Sequence, residues 1–194
     1  MLSAKPDRAV EKAREAALRL LDRSRKTRHE LERKLIEREH GPEAVAEALD
    51  RLARVGVVDD VEYAKAFVRS KLARSAVALR VVRQHLKRRG VADPDVEQAL
   101  AQLDAESAVD EAQRGDPNAS LRRLGGAGER ARAERALAPI WRRHRTLDPR
   151  ERRTRCAQAL ARRGFDYGTI SDVLDTAQRA ESAESAEPPE PAAR

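Results

Sequence analysis

Cysteine, aromatics and long apolar runs are what this 194-residue sequence has least of. A single cysteine, Cys156, cannot close an internal disulfide, so a disulfide-stapled secreted scaffold is excluded. One Trp, two Tyr and two Phe leave no material for a core of large rings, and few platforms on which bases could stack. Tyr63, Phe67 and Trp141 fall at packing positions and are expected in the core. No segment approaches the roughly 18 apolar residues of a membrane span. Met1 to Lys12 carries Lys5, Asp7, Arg8 and Glu11 with no apolar stretch, so no signal peptide is expected and the location reads as cytoplasmic. Alternating β-branched and aromatic runs are missing as well; Val55–Val58 and Val81–Val82 are the only short strand candidates.

Catalytic and metal-binding patterns are equally scarce. His29, His40, His85 and His144 are spread one per segment, and Cys156 has no Cys or close His partner in sequence, so no zinc site is expected. Gly125–Gly128 lacks a preceding strand and a following Lys-Ser/Thr, which excludes a phosphate loop. The adjacent carboxylates Asp59 and Asp60 are explained by helix capping more simply than by acid/base chemistry. The sequence reads as a non-enzyme with no cofactor and no metal.

What the sequence has in abundance is charge: 40 basic against 33 acidic residues, net +7, with arginine far ahead of lysine. The expected partner is nucleic acid or an acidic protein surface. Helical periodicity runs throughout. Ala13, Ala17, Leu20 and Leu21, then Leu31 and Leu35, then Val45, Leu49 and Leu52 follow i, i+3/i+4 spacing. Thr27 and Asp59 each precede a Glu by three residues, the spacing of a capping box. Gly41-Pro42, Asp93-Pro94 and Asp148-Pro149 place proline where a helix opens.

Self-comparison reveals a repeat. A shift of 51 lays Leu31 on Val82, Leu35 on Leu86, Val45 on Val96, Leu49 on Leu100 and Leu52 on Leu103 without a gap. A further shift of 74 lays Phe67 on Trp141, Leu86 on Leu160, Gly90 on Gly164, Val96 on Ile170 and Leu100 on Leu174. The fold expected is all-α: three tandem three-helix repeats forming an elongated, curved array. Repeat one is placed at 9–54 after a flexible stretch 1–8, repeat two at 60–113 and repeat three at 136–180. The remainder is an insertion at 114–135 and a disordered acidic tail at 181–194. The first helices are expected at 9–24, 60–75 and 139–147, the second at 28–39, 77–89 and 149–163, and the third at 42–54, 94–113 and 169–180.

Basic residues recur on the second helices: Arg83, Lys87, Arg88 and Arg89 in repeat two, and Arg152, Arg153, Arg155, Arg162 and Arg163 in repeat three. Arg25, Lys26 and Arg28 stand at the start of that helix in repeat one. Together they form a candidate positive stripe for phosphates or acidic side chains; the competing reading is a solvated face held by i,i+4 pairs such as Arg33 with Glu37.

Three segments resemble the RecX family of RecA regulators. Thr27-Arg28-His29-Glu30-Leu31-Glu32-Arg33-Lys34-Leu35 looks like that family's S-x-x-E-L-x-x-K-L. Val55-Gly56-Val57-Val58-Asp59-Asp60-Val61-Glu62-Tyr63-Ala64 resembles its glycine, apolar pair, acidic pair and aromatic-Ala signature. Leu86-Lys87-Arg88-Arg89-Gly90-Val91 matches L-x-x-K/R-G-I, with a weaker copy at Leu160–Phe165. The sequence departs from the pattern at Ala76-Val77-Ala78, where the family usually has a glycine, and in the length of the Asp104–Glu134 insertion. The resemblance implies a monomer that binds the RecA filament on single-stranded DNA and lowers RecA's ATPase, strand-exchange and co-protease activities. That implies a place in DNA repair, homologous recombination and the SOS response, with single-stranded DNA touched within the filament or weakly alone. The competing readings are a stand-alone nucleic-acid-binding or transcription regulator built of three-helix units, and a helical scaffold.

Overall fold

A computed structural model describes residues 4–114 and 124–186, and among these every regular element is a helix. Repeat one comprises α1 (Ala4–Arg23), α2 (Arg28–Ile36) and α3 (Pro42–Arg54). Repeat two comprises α4 (Asp60–Arg74), α5 (Leu79–Arg88) and α6 (Asp93–Arg114), and repeat three α7 (Gly126–Arg143), α8 (Pro149–Arg162) and α9 (Tyr167–Ala186). Two compact units are formed, one from Met1–Lys71 with Val82–Ala105, the other from Leu72–Val81 with Glu106–Arg194.

These short helices persist because each buries one apolar face against its neighbours. In the first unit Ala13, Ala17, Leu31, Leu35, Val45, Ala48 and Leu49 are all within 1% of full burial and form one cluster. The residues that the 51-residue shift predicts follow suit: Val82, Leu86, Val96, Leu100 and Leu103 are buried. In the second unit Ala133, Ala136, Leu137, Cys156, Leu160, Phe165, Ile170 and Leu174 cluster around Ala78. Cys156 occupies the place of Leu31 and Val82, so the lone thiol is a core side chain, and burial pushes its pKa up.

Helix-start chemistry is as the sequence suggests. Thr27 forms a complete capping box with Glu30, and Asp148 accepts from the backbone N–H groups of Arg150 and Glu151. Pro42 stands at the start of α3.

Four expectations need correction. The N-terminal stretch is helical from Ala4, and Asp7 lies 3.6 Å from Arg51. The third repeat's first helix starts at Gly126 rather than 139. Its Gly125–Gly128 stretch, placed in the expected insertion, becomes the N-cap and first turn because the buried face of Gly128, Arg132, Ala133, Ala136 and Leu137 outweighs the poor helix propensity of glycine. Residues 115–123 of the expected insertion lie outside the described residues. The acidic tail is helical as far as Ala186, since Glu181 pairs with Arg152 at 2.7 Å; 187–194 lie outside the described residues. Tyr63, Phe67 and Trp141, expected as core, are only half-buried. The reason is that each carries a guanidinium rather than apolar neighbours alone: Arg89 on Tyr63 and Phe67, Arg152 on Trp141.

Candidate functional site

The acidic pair is the clearest place where sequence chemistry becomes tertiary structure. Asp59 Oδ1 accepts from Glu62 N–H at 2.9 Å and caps its own helix, α4. Asp60 Oδ1 accepts from Arg28 N–H at 2.9 Å and so caps α2 of the preceding repeat. Burial holds the Asp60 carboxyl above its ordinary value, against the pull of that N–H.

Around Asp60 the first repeat junction is assembled. The fully buried Thr27 hydroxyl, already accepting from Glu30 N–H, donates to the Arg89 carbonyl at 2.7 Å. Gly90, with φ +77°, closes α5 in a Schellman arrangement, Val91 N–H reaching the Leu86 carbonyl at 3.2 Å. His29 lies directly against the Gly90 α-carbon.

Within the second unit the same junction recurs between residues 72–81 and repeat three. Ala78 N–H donates to the Arg163 carbonyl at 3.1 Å, and Gly164, φ +89°, closes α8 against Val81. Arg80 Nε donates to the Gly164 carbonyl. Leu79 N–H reaches Glu129 Oε2 at 3.4 Å, as Arg28 N–H reaches Asp60. Glu129 therefore stands where Asp60 stands, which aligns the first helices of repeats two and three by 69 residues; Ala64 with Ala133 and Val68 with Leu137 are then matched buried pairs. The 74-residue match of Phe67 with Trp141 belongs to the second and third helices' register and does not carry over to the first.

The predicted basic residues separate into three groups. Arg152 is buried, 3.9 Å from the Trp141 ring centroid, donating to the Trp141 carbonyl and ion-paired to Glu181. It is a packing residue and no part of a solvent-facing stripe, a correction imposed by the helical extension of α9.

A second group is engaged by side chains. Arg28 pairs with Asp50 at 2.6 Å, Arg83 with Glu97 at 2.7 Å, Arg153 with Asp175 at 2.7 Å and Arg155 with Glu151 at 2.7 Å. Lys87 is 3.4 Å from Asp93, and Lys26 donates to Ser24 Oγ. Arg89 reaches Glu30 and the Tyr63 hydroxyl and lies 5.5 Å from the Phe67 ring centroid. The solvated-face reading describes this group. Its pairs are open to water and each contributes little to stability.

The third group is free. Arg25, Arg88 and Arg162 are exposed with no side-chain partner among the described residues, while Arg163 turns back on the Ala159 carbonyl. Arg162 and Arg163 line a groove of about 660 Å³ between the end of α7 and α8. Arg143 and His144 line it too. The sequence reading missed them, although the run Trp141-Arg142-Arg143-His144-Arg145 announces a basic helix end.

Comparisons with known proteins decide the family. Three family models match in chain order: "RecX, first three-helix domain" over residues 13–52, "RecX, second three-helix domain" over 59–100 and "RecX, third three-helix domain" over 128–174. The "Regulatory protein RecX" of Mycolicibacterium vanbaalenii is 33% identical over 170 residues, covering 84% of this chain and 81% of the relative. The chain belongs to the RecX family. The Streptomyces coelicolor relative, also "Regulatory protein RecX", is 32% identical over 163 residues, covering 84% of this chain and 76% of the relative. The crystal structure of RecX from Lactobacillus salivarius superposes with a TM-score of 0.71 at 20% identity, covering 89% of this chain and 99% of that one. A second RecX crystal structure gives 0.66 at 23% identity, covering 86% and 73%. At these identities the likeness is one of fold. It fits the three-helix repeats.

Proposed function

We propose that this protein regulates, mainly by inhibition, the RecA recombinase, binding the RecA–single-stranded DNA filament and lowering its ATPase, strand-exchange and co-protease activities. The observation that carries the reading is RecX family membership across all three repeats. The protein acts as a binding partner and not as an enzyme. Of the predicted basic residues, Arg25, Arg88 and Arg162 are offered first to the filament, since they give up no partner on binding. Arg28, Arg83, Lys87, Arg153 and Arg155 must exchange an internal carboxylate for an external anion. Lys26 and Arg163, held only by neutral oxygens, stand between these groups.

Among the described residues no helix is long and apolar enough to cross a membrane. The test is RecA ATP hydrolysis on single-stranded DNA, titrated with the full chain. Slowing at substoichiometric to stoichiometric ratios is expected, with no hydrolysis by the protein alone; unchanged RecA turnover at several-fold excess and low salt overturns the reading. The fold would then be shared without the function.

A further inference from the structure

We propose that the last turns of α9 are an autoinhibitory strap: Glu181 sits as an internal ligand on Arg152 and closes a cationic groove between α7 and α9 to external anions. The strap stands on the geometry of the third repeat; its regulatory consequence rests on the recombinase reading.

The Arg152 guanidinium is divided between two tasks. Its Nε and Nη2 donate to the Trp141 carbonyl at 3.2 and 3.0 Å, which keeps it 3.9 Å from the ring centroid. Its Nη1 takes no part in that packing and donates to both carboxylate oxygens of Glu181, at 2.8 and 2.7 Å. The Arg152 side chain is 8% exposed and that of Glu181 46%, so the carboxylate is the partner able to leave. Its anchorage is slight. After Leu174 no side chain of α9 is buried among the described residues, and Gln178 to Ala183 are all exposed. A second tie, from Arg153 to Gln178 Oε1, is long at 3.5 Å, and Ser182 Oγ only bonds back to the Gln178 carbonyl of its own helix.

The groove that Glu181 closes holds about 520 Å³ and is lined by Arg142 and Arg145 as well as Arg152. Arg142 and Arg145 are exposed, with no carboxylate partner among the described residues. Glu134, the other acidic lining residue, is held by Arg130 at 3.0 Å. Glu181 is therefore the carboxylate seated among three guanidiniums, against an apolar wall of Leu137, Val173 and Ala177. The bland explanation is that a buried guanidinium needs a carboxylate. It accounts for the pair. It does not account for two more arginines facing the same groove, nor for a partner supplied by turns that bury nothing of their own. An ion pair half in solvent shifts an equilibrium by at most about fivefold, so the strap opens readily and Arg152 keeps its place on Trp141 when it does.

The experiment uses the full chain and two variants. Glu181→Gln removes the internal ligand. Ser182→Pro keeps every charge but breaks the helix and drives residue 181 out of helical conformation. Acrylamide and iodide quenching of Trp141, the sole tryptophan, report opening and anion access respectively. Both quenching constants should rise at least about twofold in both variants as the open population grows. The concentration that half-inhibits RecA ATP hydrolysis should fall about three- to fivefold in both, the open fraction no longer limiting binding. Adding Arg142→Ala/Arg145→Ala to Glu181→Gln should abolish that gain. Thermal melts by circular dichroism, matched to the parent, show that the repeat stays folded. Unchanged acrylamide quenching in both variants overturns the strap, whatever the recombinase does; a rise in iodide quenching of Glu181→Gln alone would then be a local charge effect. A strap that opens with parental potency overturns the autoinhibition and leaves the recombinase reading standing. A parent chain that leaves RecA untouched sinks that reading, and the quenching result alone then decides the strap.

Discussion

Replacing Gly90 by alanine separates the two reasons for a glycine at a helix end. Gly56 and Gly90 share the left-handed backbone, φ +71° and +77°. Around Gly56 an added Cβ meets nothing within 4 Å; at Gly90 it would stand 2.5 Å from Cδ2 of His29 and nearer still to its Cβ and Cγ. Gly56→Ala should therefore cost only the left-handed strain, about 1–2 kcal/mol. Gly90→Ala adds overpacking of about 1–3 kcal/mol, a total of about 2–5 kcal/mol. His29 is itself exposed, so His29→Ala alone should shift stability by no more than about 0.5 kcal/mol. Combined with Gly90→Ala, it should recover only the share of the overpacking due to the imidazole ring, because alanine keeps the Cβ of residue 29 against the added methyl group. The assay is urea unfolding of the full chain followed by far-UV circular dichroism, with the slope compared across the set to confirm that midpoints report stability. Equal losses in Gly56→Ala and Gly90→Ala would refute the junction as drawn.

Two further outcomes follow from the buried charges. Arg152→Ala should cost about 2–4 kcal/mol by urea unfolding read from the fluorescence of Trp141, the sole tryptophan, because it removes a buried cation–π stack and strips the Trp141 carbonyl of two donors. Glu181→Ala, whose side chain is half in solvent, should cost under about 1 kcal/mol, and equal losses would contradict the packing role given to Arg152. Burial raises the native pKa of Asp60, so the native state holds that proton more tightly than the unfolded chain; its favourable contribution is full below the unfolded value and is lost as pH rises through the native one. Asp60→Asn keeps the oxygen that Arg28 N–H uses and cannot ionise. Its melting temperature relative to the parent should climb with pH across the carboxylate range and then level, and a flat difference would exclude a raised Asp60.

The sequence displays its helices wherever apolar spacing and capping residues coincide. Leu35, Leu49, Leu86, Leu100 and Leu174 are all at most 5% exposed, as a 51- and 74-residue register requires. It conceals what depends on a distant partner. Glu181 looks like the start of a polar tail until Arg152 is placed beside it, and Gly125–Gly128 looks like loop until α7 has a face to bury. For the candidate site, residue type was readable and commitment was not. Arg28 and Arg153 are held by Asp50 and Asp175 on other helices, pairings that no spacing along the chain announces. Arg143 and His144 escaped because neither belongs to the second-helix pattern that drew attention to the arginines.

The two junctions also explain which residue the repeat allows at each helix end. Glu39, Gly90 and Gly164 occupy equivalent positions, and all have positive φ, 64°, 77° and 89°. Glycine is kept where the start of a preceding second helix lies against it, at His29 and at Val81. Glu39 is exposed, and the site tolerates a glutamate there at the expense of left-handed strain. The opposite face is treated in the opposite way. Thr27 and Ala78 give their polar hydrogens to the carbonyls of Arg89 and Arg163 in the next repeat. The equivalent residue of repeat three is Arg152, which is covered by Glu181 and the Trp141 ring.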